Sequence, residues 1–153
     1  MLVFVIPLKS QKVSKSWDAV CKLFERSVKS VCHQTSENFR VIVVCHEKPH
    51  IEFNHPYIHY LEVDFPLPGQ NFEFIDLDTI DRKGRPLDVI SKDIDKGRKI
   101  LTGLAYANQF APSHAMIVDA DDCVSRRLAE FVNQNSQSNG WFLQTGYMYN
   151  EGN

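Results

Sequence analysis

Long apolar runs are scarce in this sequence of 153 residues. The longest opens the chain, Met1-Leu2-Val3-Phe4-Val5-Ile6-Pro7-Leu8, and stops at Lys9, far short of the ~20 residues that cross a bilayer. It has no basic leader and no small-residue cleavage site, so it does not read as a secretory signal. Cysteine is sparse: Cys21, Cys32, Cys45 and Cys123 lie no closer than 11 positions apart, which excludes a C-x-x-C zinc or redox motif. Each has apolar neighbours, so all four are expected to be buried free thiols in a cytoplasmic protein. A basic surplus is missing as well. Lys and Arg total 17 against 19 Asp and Glu, a formal charge of −2, which weighs against a nucleic-acid partner. No Gly-x-Ser-x-Gly elbow, P-loop or Gly-x-Gly-x-x-Gly occurs, which removes the usual support for hydrolase, NTPase and dinucleotide-enzyme readings. The histidines His33, His46, His50, His55, His59 and His114 place no i, i+4 pair on an expected helix, so a zinc-protease reading fails.

What is present is an ordinary globular composition, 43% hydrophobic and 24% charged, which excludes a disordered or fibrous chain. The length fits one domain over residues 1–153. The opening run, rich in β-branched and aromatic residues, predicts a strand buried on both faces. Ser14 or Ser16 is placed to cap a helix whose apolar face is Trp17, Val20, Cys21, Phe24, Val28, Val31 and Cys32. Arg40–Cys45 predicts a second buried strand, and Tyr57–Val63 a weaker third. The stretch Phe65–Asp93, with Pro66, Pro68, Gly69, Gly84 and Pro86, reads as a long loop. A second helix is expected from about Asp95 to Phe110, with Ile100, Leu101, Leu104, Ala105 and Asn108 on one face. Ala115–Val118 predicts a fourth strand, and Ser125 a cap for a helix carrying Leu128, Ala129, Phe131 and Val132. Trp141–Thr145 reads as a fifth strand. This alternation predicts an α/β fold with a mostly parallel sheet.

The fourth strand runs into Asp119-Ala120-Asp121-Asp122. In open α/β sheets ligands bind beyond the carboxyl ends of the strands, and carboxylates crowded there repel unless a cation or hydrogen bonds compensate. Oxygen ligands of this kind suit Mg²⁺ or Mn²⁺, with a substrate diphosphate completing the shell. The bland alternative is a solvated turn before a helix. Asp76-Leu77-Asp78 repeats the D-x-D spacing with no strand before it and reads as a surface turn, so context rather than the triplet carries the information.

These pieces together resemble the nucleotide-binding half of a GT-A fold glycosyltransferase, close to glycosyltransferase family 2. The matching segments are Val3–Pro7, Phe39–Val44, Asp95–Lys99 opening a helix that ends Ala105–Asn108, and Ala115–Asp122; the last is the most specific. The resemblance implies a Rossmann-like, mostly parallel sheet with flanking helices that binds a nucleotide-diphosphate sugar, most readily a UDP-sugar. It implies Mn²⁺ or Mg²⁺ held by Asp119 and Asp121, with Asp122 adjacent to ligate or orient, and Asp119 also touching the nucleotide. It places Pro7 and Leu8 along the nucleotide pocket, Glu47 in place of the acidic residue that meets the base, and Lys96, with Lys99 nearby, against the diphosphate. The implied activity is transfer of a hexose to an acceptor hydroxyl.

The general base such an enzyme needs is not evident. Glu151, beside the chain end, is a poor candidate. The chain is therefore expected to stop before an acceptor-binding segment, either as a fragment or as a natural truncation, leaving a face open to homo-oligomer formation. The alternative function is a non-catalytic GT-A remnant that binds nucleotide or a protein partner. Met116–Asp121 also looks like the nucleophile strand of a haloacid dehalogenase phosphatase, but Asp122 follows and little chain remains for that family's further loops.

Overall fold

The computed structural model describes residues 1–70 and 86–148, with backbone alone at Leu87. The Asp76-Leu77-Asp78 repeat, Glu151 and much of the expected 65–93 loop lie outside the described residues. The opening apolar run forms β1 (Leu2–Pro7), whose first five residues are all buried. It pairs in parallel with β2 (Phe39–Cys45) from Leu2↔Phe39 to Pro7↔Val44. Strand β3 (Ile58–Glu62) pairs in parallel with the far side of β2. Strand β4 (His114–Ile117) returns to the free side of β1, from Leu2↔His114 to Val5↔Ile117. The described sheet therefore has four parallel strands in the order β3-β2-β1-β4.

Alternation along β1 sends successive side chains to opposite faces. Leu2, Phe4, Ile6 and Leu8 meet Phe24, Val28 and Val31 of helix α1 (Trp17–Cys32), together with Ala129 and Val132 of α3 (Leu128–Gln134). Val3 and Val5, with Ile42 and Val44 of β2, meet Ala107 and Leu104 of α2 (Leu87–Ala107) on the other face. The result is a three-layer α/β arrangement compatible with a Rossmann-like fold. Among the described residues no helix is long and apolar enough to cross a membrane.

Several elements differ from expectation. Helix α2 begins at Leu87, not near Asp95, with Pro86 as its N-cap. Proline's fixed φ suits a helix start, so Pro86 opens a helix inside the stretch expected to be a loop. The buried face of α2 is partly different: the expected Leu104 packs on the sheet, but Ile90, Lys99, Gly103 and Ala107 are buried and Leu101 is 69% exposed. The helix lies so close to the sheet that small residues must face it. A Cβ on Gly103 would sit 2.5 Å from Val5 Cγ1 and 3.1 Å from Val44 Cγ2. Ser16, not Ser14, caps α1 by accepting from the Ala19 amide. Ser125 stabilises the turn before α3 by accepting from the Arg127 amide, while Arg127 itself is the cap residue. The expected fifth strand is absent from Trp141–Thr145. Trp141 packs its ring on His114 and Phe131, at centroid distances of 4.6 and 5.1 Å, instead of pairing its backbone with β4, and Phe142 and Leu143 stay exposed. Of the cysteines, Cys21, Cys32 and Cys45 are buried and Cys123 is exposed, contrary to expectation. Cys123 follows the acidic turn, where the chain has already left the sheet.

Alanine at Gly103 gains about 1 kcal/mol of helix propensity but forces a methyl against the stiff, buried Val5 side chain, which costs roughly 1–3 kcal/mol. Gly103→Ala is therefore expected to lower unfolding free energy in urea. Gly97→Ala, whose added Cβ meets nothing within 4 Å, is expected to raise it by up to about 1 kcal/mol. Equal effects would contradict the close helix–sheet contact.

Burial pushes the Cys32 and Cys45 thiols up to about 12. Thiolate is the reactive form, so Cys123 is expected to be alkylated first by iodoacetamide in the native protein. Cys32 and Cys45 should react only on unfolding, as peptide mass mapping would show.

Candidate functional site: a cleft at the strand carboxyl ends

The chain moves outward from β1 to β2 to β3, then crosses back to place β4 on the other side of β1. The topology reverses between β1 and β4, and a ligand crevice is expected beyond the carboxyl ends of strands at such a point. A cleft of about 300 Å³ lies there. Pro7 and Leu8 from the end of β1 line it, with Asp119, Ala120 and Asp121 from the end of β4. Helix α2 contributes Lys92, Asp95, Lys96 and Lys99, at the three- and four-residue steps of one helical face. Val20 and Leu23 of α1, with Val13 and Pro68, supply an apolar wall.

The backbone beneath this cleft is fixed by the sheet ladder. The Leu8 amide donates to the Val44 carbonyl at 2.8 Å, and the Val118 amide to the Val5 carbonyl at 3.0 Å. Lys99 is 1% exposed. Its Nζ donates to the Leu8 carbonyl at 2.9 Å and to Asp95 Oδ2 at 2.7 Å. A buried cation persists only when paired and hydrogen-bonded, and Lys99 is both. It lies in the interior of α2, well past the Leu87 start. Lys96, one turn earlier on the same face, is half-exposed and pairs with Asp119, Nζ to Oδ1 at 2.6 Å.

The acidic turn is held from α1. Ser27, buried within an otherwise apolar helix face, donates to the carbonyls of Asp122 at 2.5 Å and Asp119 at 3.4 Å. Ser30 Oγ accepts from the Val124 amide at 3.1 Å. These serines escaped the sequence reading; the one available signal was a small hydroxyl interrupting the apolar stripe of α1. Asp122 donates its amide to the Asp119 carbonyl at 3.0 Å. It is exposed and does not line the cleft.

Glu47 lies apart from the cleft lining. Its carboxylate accepts from the Ser10 hydroxyl and the Gln11 amide, each at 3.0 Å, tying the loop after β1 to the end of β2. His46 is buried, with Nε2 3.0 Å from the Phe65 carbonyl and 3.9 Å from Asp95 Oδ1. Although His46-Glu47-Lys48-Pro49-His50 spells H-E-x-x-H, these residues form no helix. His46 is buried against Phe65 and His50 is exposed, so the motif is accidental.

Before a ligand binds, a divalent cation would find an incomplete protein shell here. Mg²⁺ and Mn²⁺ take a convergent set of oxygen ligands, to which one or two carboxylates and a substrate diphosphate can contribute. Among the described residues no three His, Cys, Asp or Glu side chains gather into such a group. The Asp119 carboxylate is engaged by an ammonium, and Asp122 stands outside the cleft. Compared with known proteins, the chain matches no family model, no curated protein and no solved structure.

Removing Lys99 would strand the Asp95 carboxylate in a nearly buried position, which typically costs about 3–5 kcal/mol. Lys99→Met is expected to lose stability on that scale in urea. The double variant Lys99→Met with Asp95→Leu is expected to recover most of it, because no charge is then left unpaired. A double variant as unstable as the single one would show that the pair does not act as described.

Proposed function

We propose that the chain is the donor-binding domain of a glycosyltransferase-like protein, taking a nucleotide-diphosphate sugar into the cleft between β1 and β4. The observation that carries this reading is the cleft's position and make-up. It sits where the strand order reverses, with an apolar wall for a flat base and a rim of lysines for phosphates. The resemblance of Ala115–Asp122 to the strand-plus-D-x-D segment of such enzymes adds to it. In the transfer reaction an acceptor hydroxyl attacks the anomeric carbon and gives up its proton to water or to a base on the acceptor side. The bond from that carbon to the phosphate oxygen breaks, and negative charge grows on the departing nucleoside diphosphate. A fixed cation beside that oxygen lowers the barrier. Lys96 lies on the cleft rim to serve this role.

UDP-, GDP- and ADP-sugars titrated calorimetrically should include at least one that binds. Leu23 lines the cleft yet is 40% exposed, so Leu23→Trp should fill the entrance without unfolding the domain. That substitution is expected to weaken binding at least about tenfold, or ~1.4 kcal/mol, with an unchanged urea midpoint. Failure of every nucleotide sugar to bind would refute the donor-binding reading. Binding with no hydrolysis or transfer would assign the domain a binding role alone.

A further inference from the structure

We infer that the cleft binds the diphosphate of its ligand through the Lys96 ammonium, standing on Asp119 where a divalent ion would otherwise stand, and therefore binds without metal. The inference rests on the donor-binding reading and specifies its chemistry. Lys96 Nζ lies 2.6 Å from Asp119 Oδ1, and both side chains line the cleft at 45% and 47% exposure. An ammonium carries three donors. One serves Asp119, leaving two for phosphate oxygens. The order carboxylate, cation, phosphate is the order a bound metal would create, with a lysine as the point charge.

Two features favour the lysine over an ion. A dication approaching Asp119 would meet Lys96 already on the carboxylate, with like-charge repulsion added to the cost of ion dehydration. Among the described residues no group of three His, Cys, Asp or Glu side chains gathers that could replace that pairing. Lys9, Lys92, Lys96 and Lys99 line the cleft beside Asp95, Asp119 and Asp121. Lys99 and Asp95 neutralise each other below the surface, and Lys92 pairs with Asp88 at 2.9 Å, so Lys96 is the lining cation set against Asp119. The helix dipole is not the source of attraction, because Lys96 lies in the interior of α2, well past its Leu87 start.

The test is calorimetric titration of UDP, GDP and ADP, first in EDTA and then in excess Mn²⁺. At least one should bind in EDTA, with a dissociation constant that Mn²⁺ changes by less than about threefold, or ~0.7 kcal/mol. Lys96→Gln should weaken that binding by about tenfold or more, and Lys96→Arg should retain most of it, since charge is kept. Asp119→Asn should leave binding in EDTA within about threefold of the parent or tighten it, because it releases the ammonium to the phosphate. Urea midpoints of the three variants would separate binding effects from unfolding. Binding that requires Mn²⁺ and disappears in Asp119→Asn would overturn the inference while leaving the donor-binding reading intact. Binding in EDTA that ignores Lys96→Gln would also overturn it. Absence of binding under both conditions would overturn the inference together with the donor-binding reading.

Discussion

The buried Lys99 ammonium joins the elements on which the cleft depends. It links the carbonyl of Leu8, the first residue past β1, to the Asp95 carboxylate within α2. An unpaired charge there would be severely destabilising, so the helix is held in the register that satisfies it. That register brings Gly103 against Val5 and Val44, and it carries Lys96 and Lys92 to the cleft rim. A salt bridge of this sort contributes little net stability compared with an apolar pair of the same shape. Its importance lies in orientation: it fixes how α2 meets the end of β1.

The opposite wall is held by a different device. Ser27 and Ser30 of α1 engage the backbone around the acidic turn rather than its carboxylates. The turn's path is thus determined by main-chain bonds, and the Asp119 and Asp121 side chains remain on the cleft side. Glu47 performs a similar task for the loop after β1 through Ser10 and Gln11. Residues that resemble binding groups by type therefore divide into two roles. Lys96, Asp119 and Asp121 face the cleft, while Glu47, Lys99 and Asp95 chiefly position its walls.

The parallel strands were legible because the sheet buries β1 and β2 on both faces, so each reads as an unbroken apolar run. The place of the acidic turn followed from the apolar run Ala115–Val118, although β4 alternates between half-buried and exposed positions. Helix α2 was harder. Its contact face combines Ile90 and Leu104 with Lys99, Gly103 and Ala107, and the last three do not register as apolar bulk, while Leu101 is exposed. Periodicity rules assume that large side chains fill an interface and fail where backbones approach closely. Pro86 misled for a related reason, since proline both ends helices and begins them. Trp141–Thr145 has the composition of a strand, but pairing depends on what else meets the edge of β4, which local sequence does not encode. The Lys96–Asp119 contact joins residues 23 positions apart and depends on the placement of α2, so no motif announces it.

The ladder bonds from Leu8 to Val44 and from Val118 to Val5 carry the sheet's hydrogen bonding one residue beyond each strand, into the floor of the cleft. Conformational entropy at that floor is thus lost during folding rather than on association. A ligand meeting it need order only a few side chains at the rim. Selectivity can then change by substitution along Lys92, Lys96 or Leu23 while the frame that presents them stays in place, so the scaffold is tolerant of altered specificity even though its centre tolerates very little.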